Sequence, residues 1–167
     1  MTPPARHFHS PHRLALDALL ALVVGIVLVA HGALAGATER VQTIKVDDAF
    51  ARAMPPGART AGAYLSITNR GDAPDRLLSA RSERAGSVEL HEMSEHGGMM
   101  RMRPVEAVVI PPGKRVQLTP SGLHLMLVDP KPPLKQGEHI PLTLHFERAG
   151  DIGVDVVVGG MGATHAR

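Results

Sequence analysis

The sequence predicts an all-β domain that follows an apolar N-terminal segment. From Gln42 onward, hydrophobic residues tend to recur at every second position, which is the period of a half-buried β-strand and not of a helix. Turn signals rich in Gly and Pro, such as Pro111-Pro112-Gly113, divide this region into short segments. Short strands at close spacing are typical of a β-sandwich or a β-barrel, and no long amphipathic helix is predicted beside them.

Strands are predicted wherever the alternation runs between two turn signals. The turns between them contain Gly, Pro, Asn or Asp, which favour chain reversal. The predicted strands are Thr43–Val46, Ala61–Asn69, Arg76–Ser82, Ser87–Met93, Met99–Arg103, Val105–Ile110, Arg115–Leu118, Leu123–Val128, Ile140–Glu147 and Ile152–Val158.

The N-terminal residues have the pattern of an export signal. Arg6 and Arg13 supply positive charge ahead of an apolar run from Ala18 to Ala30, and the small residues from Ala33 to Ala37 offer cleavage sites. The run is short for a hydrocarbon core about 30 Å thick. An uncleaved membrane anchor over residues 14–35 is the alternative.

We therefore expect three segments along the chain. Residues 1–37 form the signal peptide, residues 38–160 form the β-sandwich domain, and residues 161–167 form a short C-terminal tail. The protein is expected to be exported to the periplasm as a monomer. It would contact a membrane only through an uncleaved N-terminal segment.

Composition excludes several classes of function. The net charge of +2, with one Tyr, three Phe and no Trp, argues against a nucleic-acid-binding surface. The absence of cysteine rules out a disulfide, a zinc–thiolate cluster and the thiolate that a blue-copper electron-transfer centre requires. Ten His and eight Met residues in such a chain invite a search for soft-metal ligands.

Strand alternation places several of these His and Met residues away from the core. In Leu123–Val128 the leucines form one face, which we assign to the core, while His124 and Met126 form the other face. In the same way His91 shares a face with Met93. We interpret the nearby carboxylates as a solvated surface: Glu89, Glu92 and Glu95.

A mixed set of thioethers and imidazoles suits copper, and Cu(I) in particular. Mg²⁺ and Ca²⁺ prefer oxygen ligands, and structural zinc usually has thiolates or more imidazoles. A single Met is more often core packing, however, and a single His is more often a surface residue. From the residues alone, a metal site and a metal-free domain therefore both stay open.

The segment from Val88 to Leu127 resembles the periplasmic copper chaperone family PCuAC, whose hallmark is H-x10-M-x21-H-x-M. The positions of this sequence that match the hallmark are His91, Met102, His124 and Met126. Further similarity runs from about Ile44 to Val158, in segments such as Gly62-Ala63-Tyr64-Leu65 and Met102-Arg103-Pro104-Val105.

The resemblance implies a cupredoxin-like Greek-key β-sandwich that binds Cu(I), and in addition Cu(II), through those four side chains. It also implies delivery of copper for cytochrome c oxidase assembly, with a Sco-type copper protein and the copper subunit of the oxidase as partners. Met93 shares the face of His91 and is the alternative to Met102 as a ligand, but the family pattern favours Met102. Met99 and Met100 are expected to form a flexible rim over the site.

Two departures from the family pattern stand out. Some members have a His/Met-rich tail, whereas this chain has only Met161 and His165 after Val158. Phe50 occupies a position where many members have Trp, and we expect this to affect packing and not the metal.

Three other functions compete with this interpretation of the sequence. Copper storage or resistance would use the same ligands. A copper enzyme would need three or more clustered imidazoles and an open position, which the His pattern does not provide, so no enzyme is predicted. A metal-free Ig-like interaction module is the alternative of another class.

Overall fold

The computed structural model describes residues 43–165, and every regular element within them is a β-strand. The strands are β1 (Ile44–Arg52), β2 (Thr60–Asn69), β3 (Asp75–Arg81), β4 (Ser87–His96), β5 (Met99–Pro104), β6 (Val108–Ile110), β7 (Arg115–Leu118), β8 (Leu123–Val128), β9 (His139–Phe146) and β10 (Gly150–Gly159). The all-β prediction is confirmed. The predicted signal peptide and anchor lie outside the described residues. Within residues 43–165 no helix has the length and apolar character needed to cross a membrane.

The strands form one sheet in the order β5-β4-β8-β2-β1-β10-β9-β3-β6, and β7 pairs with β2. An additional pairing between β3 and β4, with Ala80 opposite Val88, joins distant parts of this order. The sheet therefore closes on itself as a barrel-like sandwich. Most neighbours are antiparallel, but β1 and β10 run parallel, with Phe50 opposite Val157.

The closed sheet encloses a core of aliphatic residues. Leu125 and Leu127 of β8 are fully buried, as are Leu144 and Phe146 of β9. Leu90 of β4 packs in the same cluster. This is the leucine face that alternation assigned to the core. The opposite face of β4 and β8 carries His91, His124 and Met126, which are not part of the core cluster.

The first strand is longer than predicted, because a bulge carries it past the polar pair Asp47-Asp48. Asp48 has a φ of 55°, and the register of β1 against β2 shifts between Asp47 and Phe50. Asp tolerates this left-handed conformation better than most residues. Beyond the bulge, β1 continues to Arg52 and brings Phe50 opposite Tyr64 of β2.

A buried carboxylate ties β3 to the turn between β9 and β10. Asp75 is only 3% exposed. Its side chain accepts hydrogen bonds from the backbone N–H groups of Arg76, Arg148 and Ala149, at 2.8, 2.9 and 3.0 Å. The carboxylate thus satisfies backbone donors that the turn would otherwise leave without partners.

Candidate metal centre

Two histidines lie side by side on neighbouring strands. β4 and β8 are antiparallel, with His91 directly opposite His124. The ring centroids are 5.9 Å apart and the ring planes are inclined by 39°. Both residues are on the face opposite Leu90 and Leu125, as alternation predicted, yet each is only 7% exposed. This face is therefore covered, and it is not the open surface that a simple two-sided strand would present.

The two candidate methionines flank the histidine pair on the same face. Met102 of β5 is opposite Met93 of β4, and Met126 of β8 is opposite Glu89 of β4. Because directly opposite residues of an antiparallel pair share a face, all four predicted ligands lie on one side of the sheet. Met102 is 51% exposed, and Met126 is half-buried.

The two methionines are not neighbours of one another. On β4, Met93 is opposite Met102 and Glu89 is opposite Met126. Met93 and Glu89 are four residues apart, which is about 14 Å at a rise of about 3.4 Å per residue. The structure therefore brings the histidines together and places one thioether on each side of them. An ion between the two rings would draw Met102 and Met126 in from opposite directions.

The hydrogen bonds of the rings assign their tautomers. His91 Nε2 is 2.8 Å from a Glu89 carboxylate oxygen, and His124 Nδ1 is 3.0 Å from the Gly122 carbonyl oxygen. Both partners can only accept, so these two ring nitrogens donate. In neutral rings the lone pairs are then on His91 Nδ1 and His124 Nε2.

The lone pair of His91 has nothing to bind. His91 Nδ1 is buried and has no hydrogen-bond partner within residues 43–165. A buried polar atom without a partner costs free energy, on the order of 1–3 kcal/mol. A metal ion is one species that would satisfy this nitrogen, and a carboxylate that accepts from the other ring nitrogen is a common outer-shell partner of a ligating His.

An aromatic wall from β1 and β2 covers one side of the pair. The Tyr64 ring centroid lies 6.4 Å from that of His124 and 5.0 Å from that of Phe50. The Arg52 guanidinium is 5.5 Å from the Tyr64 centroid, and its Nε donates to the Ala163 carbonyl at 2.9 Å. Burial raises the pKa of the Tyr64 hydroxyl. Phe50 therefore has the packing role that was expected of it.

The absence of a side chain at Gly62 leaves room for the Tyr64 ring. Gly62 is opposite Met126, and a Cβ atom built on it would lie 2.2 Å from the Tyr64 hydroxyl oxygen. We predict that Gly62→Ala displaces Tyr64 from His124 and destabilises the domain by about 1–3 kcal/mol, measured by denaturant unfolding. Gly153→Ala is the control, since a Cβ there meets no atom within 4 Å. Equal stability of the two variants would contradict this role for Gly62.

Several other Met and His residues lie away from the histidine pair. Met99 is opposite His96 on the far face of the hairpin, so only Met100 of the expected rim is on the face of the histidine pair. His139 and His145 lie on β9 and are each 2.6 Å from an aspartate, Asp155 and Asp151 respectively. Within residues 43–165 no group of three or more His, Asp or Glu residues could hold a metal ion.

The sequence analysis did not identify the residues that contact or position the rings around the two histidines, namely Glu89, Gly62 and Arg52. Glu89 is exposed, as expected of a solvated surface, but its carboxylate also contacts His91 Nε2, two residues later on the same strand face. That spacing was a usable signal. Gly62 gives the same signal, since it is two residues before Tyr64 on β2 and thus on the same strand face. For Arg52 no local signal exists, since it contacts Tyr64 from another strand.

A family model and a relative of known sequence both match most of the described residues. Residues 44–158 match the family described as “Putative lipoprotein LpqE-like”. Over 116 residues the chain is 31% identical to “Putative lipoprotein Lxx21020” of Leifsonia xyli subsp. xyli (strain CTCB07), which covers 69% of each protein.

Among solved structures, the chain is similar to two copper-bound proteins. The copper-bound PCuAC domain from PmoF2 is 31% identical with a TM-score of 0.61, over 71% of this chain and 93% of that domain. The Cu(I) form of DR1885 from Deinococcus radiodurans is 32% identical with a TM-score of 0.56, over 75% of this chain and 83% of that protein.

Proposed function

The chain belongs to the LpqE-like family, which has PCuAC domains among its structural relatives, and we propose that it is a copper chaperone. It would carry Cu(I) as cargo, and Cu(II) more weakly, on four side chains: His91, Met102, His124 and Met126. The observation that carries this proposal is the buried Nδ1 of His91, which lacks a partner within residues 43–165, in a ring whose centroid is 5.9 Å from that of His124.

The donor set fits copper. His91 would bind through Nδ1 and His124 through Nε2, because Glu89 and the Gly122 carbonyl engage the other ring nitrogens. Neutral imidazoles and thioethers are good ligands for Cu(I), and thioethers are poor ligands for the hard ions Mg²⁺ and Ca²⁺. The copper-bound states named for the PmoF2 domain and for DR1885 support the same cargo.

The site suits a carrier better than an electron-transfer centre or an enzyme. The sequence has no cysteine to supply a blue-copper thiolate. Among the described residues 43–165 only two imidazoles are brought together, while His139 and His145 lie on another strand and contact aspartates. The exposed Met102 gives the cargo a route to a partner, since a ligand open to solvent can be exchanged.

We further propose where the cargo goes. The family resemblance supports export to the periplasm and delivery to the copper subunit of cytochrome c oxidase, together with a Sco-type protein. Mixing the Cu(I)-loaded protein with an apo oxidase copper domain or an apo Sco-type protein tests this step. Rapid transfer of copper to either acceptor is expected, and retention of copper in the presence of excess acceptor would favour storage instead.

Met102 should determine the preference between the two oxidation states. We predict that Met102→Ala weakens Cu(I) at least about tenfold more than Cu(II), because the thioether is the soft ligand. Competition titrations with a chelator of each ion measure the two affinities. Met99→Ala is the matched control, since Met99 is on the same strand and similarly exposed but on the other face. Equal losses for both ions would contradict a sulfur ligand at Met102.

A further inference from the structure

The β4–β5 hairpin carries a row of thioethers beyond the proposed ligands. Met93 of β4 is directly opposite Met102 of β5, and Met100 is two residues before Met102, opposite Glu95. By the alternation of the two strands, all three methionines share the face of His91. Met93 and Met102 are expected to be about 5 Å apart at Cβ, and Met100 and Met102 about 7 Å apart.

Core packing does not explain this row. Met100 and Met102 are 53% and 51% exposed, and Met93 is half-buried. Four of the five large hydrophobic residues that are exposed within residues 43–165 are methionines, and three of them are on β5. Met100 and Met102 thus leave about half of their surface in solvent and contribute less to stability than the fully buried residues of the core.

The charges of the hairpin favour a cation on the same face. Arg101 is opposite Ser94, and Arg103 is opposite Glu92 with an ion pair at 2.5 Å. Both arginines are therefore on the other face, while Glu95, directly opposite Met100, is on the face of the methionines. A cation beside Met93 and Met100 would meet the Glu95 carboxylate and not a guanidinium group.

We propose that Met93, Met100 and Met102 form a second soft-metal site, which takes Cu(I) through three thioethers. Unbranched Met side chains have the flexibility to converge on one ion, and thioethers select Cu(I) over harder cations. Met102 is a neighbour both of this thioether site and of His91. If the proposed function is right, Met102 binds one ion at a time. In the doubly loaded protein it holds the ion of the thioether site, while His91, His124 and Met126 hold the other. Once the histidine pair is empty, Cu(I) passes to it from the thioether site by exchange of ligands, with Met102 bound throughout and no change of oxidation state.

The test counts Cu(I) equivalents in the purified protein under anaerobic conditions, by competition with a Cu(I) chelator. Met93→Leu/Met100→Leu should bind one Cu(I) fewer than the wild type, because leucine conserves volume but has no sulfur. Met99→Leu, on the opposite face of the hairpin, should bind as many as the wild type. A double variant with unchanged stoichiometry and affinity would overturn the thioether site, and the row would then be a contact surface only.

A second variant separates this site from the proposed function. His91→Ala/His124→Ala should keep one Cu(I), and X-ray absorption should show that ion in an all-sulfur environment. If this variant binds as many Cu(I) ions as the wild type, the result counts against the proposed function alone. If His91→Ala/His124→Ala binds no Cu(I) although the wild type does, the thioether site is refuted.

Discussion

His91→Ala is expected to lower the affinity for both Cu(I) and Cu(II) by at least about 100-fold. The loss of an outer-shell partner alone costs roughly 10- to 100-fold in metal affinity, and a direct ligand should cost more. Both oxidation states should be affected, because imidazole binds either of them. His124→Ala should have the same effect, since its ring faces that of His91 at a centroid distance of 5.9 Å.

His96→Ala is the matched control for this prediction. His96 is at the exposed end of the same strand, but it is opposite Met99 and thus on the other face. Chelator competition should give the wild-type affinity for this variant, and thermal unfolding should show that all three variants are folded. An unchanged affinity of His91→Ala would remove this residue from the set of ligands.

Asp75→Ala is expected to have the largest effect on stability, about 3–5 kcal/mol. The substitution removes a buried acceptor and leaves three backbone N–H groups without it, those of Arg76, Arg148 and Ala149. For a domain of this size the midpoint of thermal unfolding should fall by about 10–15 °C. Copper affinity at temperatures where the variant is folded should be unchanged, because Asp75 is on β3 and not on the strands of the site.

Two further variants separate the hydrogen bonds of Asp75 from its charge and position. Asp75→Asn keeps one acceptor oxygen and should be less destabilised than Asp75→Ala. Asp72→Ala, at an exposed residue in the preceding turn, should be within about 0.5 kcal/mol of the wild type. A small effect of Asp75→Ala, comparable to that of Asp72→Ala, would show that water replaces the carboxylate.

The strands of this fold were largely predictable because their side chains alternate. β7 and β8 have the predicted bounds, and several others differ by one residue at an end. The prediction failed where alternation is interrupted: β1 continues through the bulge at Asp48, and the predicted strand Val105–Ile110 is reduced to Val108–Ile110. A bulge adds a residue to one strand only, so the period of the sequence cannot show that the strand continues.

The candidate site was predictable in part. Alternation put His91 and His124 on faces away from the core, whereas only the resemblance selected Met102 over Met93. The pairing of Met93 with Met102 follows from the turn Gly97-Gly98, whose residues have φ values of 61° and 79°. A two-residue Gly-Gly turn is a strong hairpin signal, so the pairing of Met93 with Met102 could have been predicted from the sequence.

The burial of the histidines was not predictable from their own strands. Tyr64 of β2 lies beside His124 of β8, and Phe50 packs on the other side of Tyr64. Tyr64 reaches His124 through the pairing of β2 with β8, two strands that are far apart in sequence. A periodic pattern reports which face of one strand is apolar, but it does not report which other strand will lie beside it.

X-ray absorption on the protein loaded with one equivalent of Cu(I) tests the central claim most directly, because it counts the sulfur and nitrogen neighbours of the ion. The proposed function predicts two imidazole nitrogens together with thioether sulfur around the tightly bound ion. An environment of nitrogen and oxygen without sulfur, or one without any imidazole nitrogen, would contradict the proposed site.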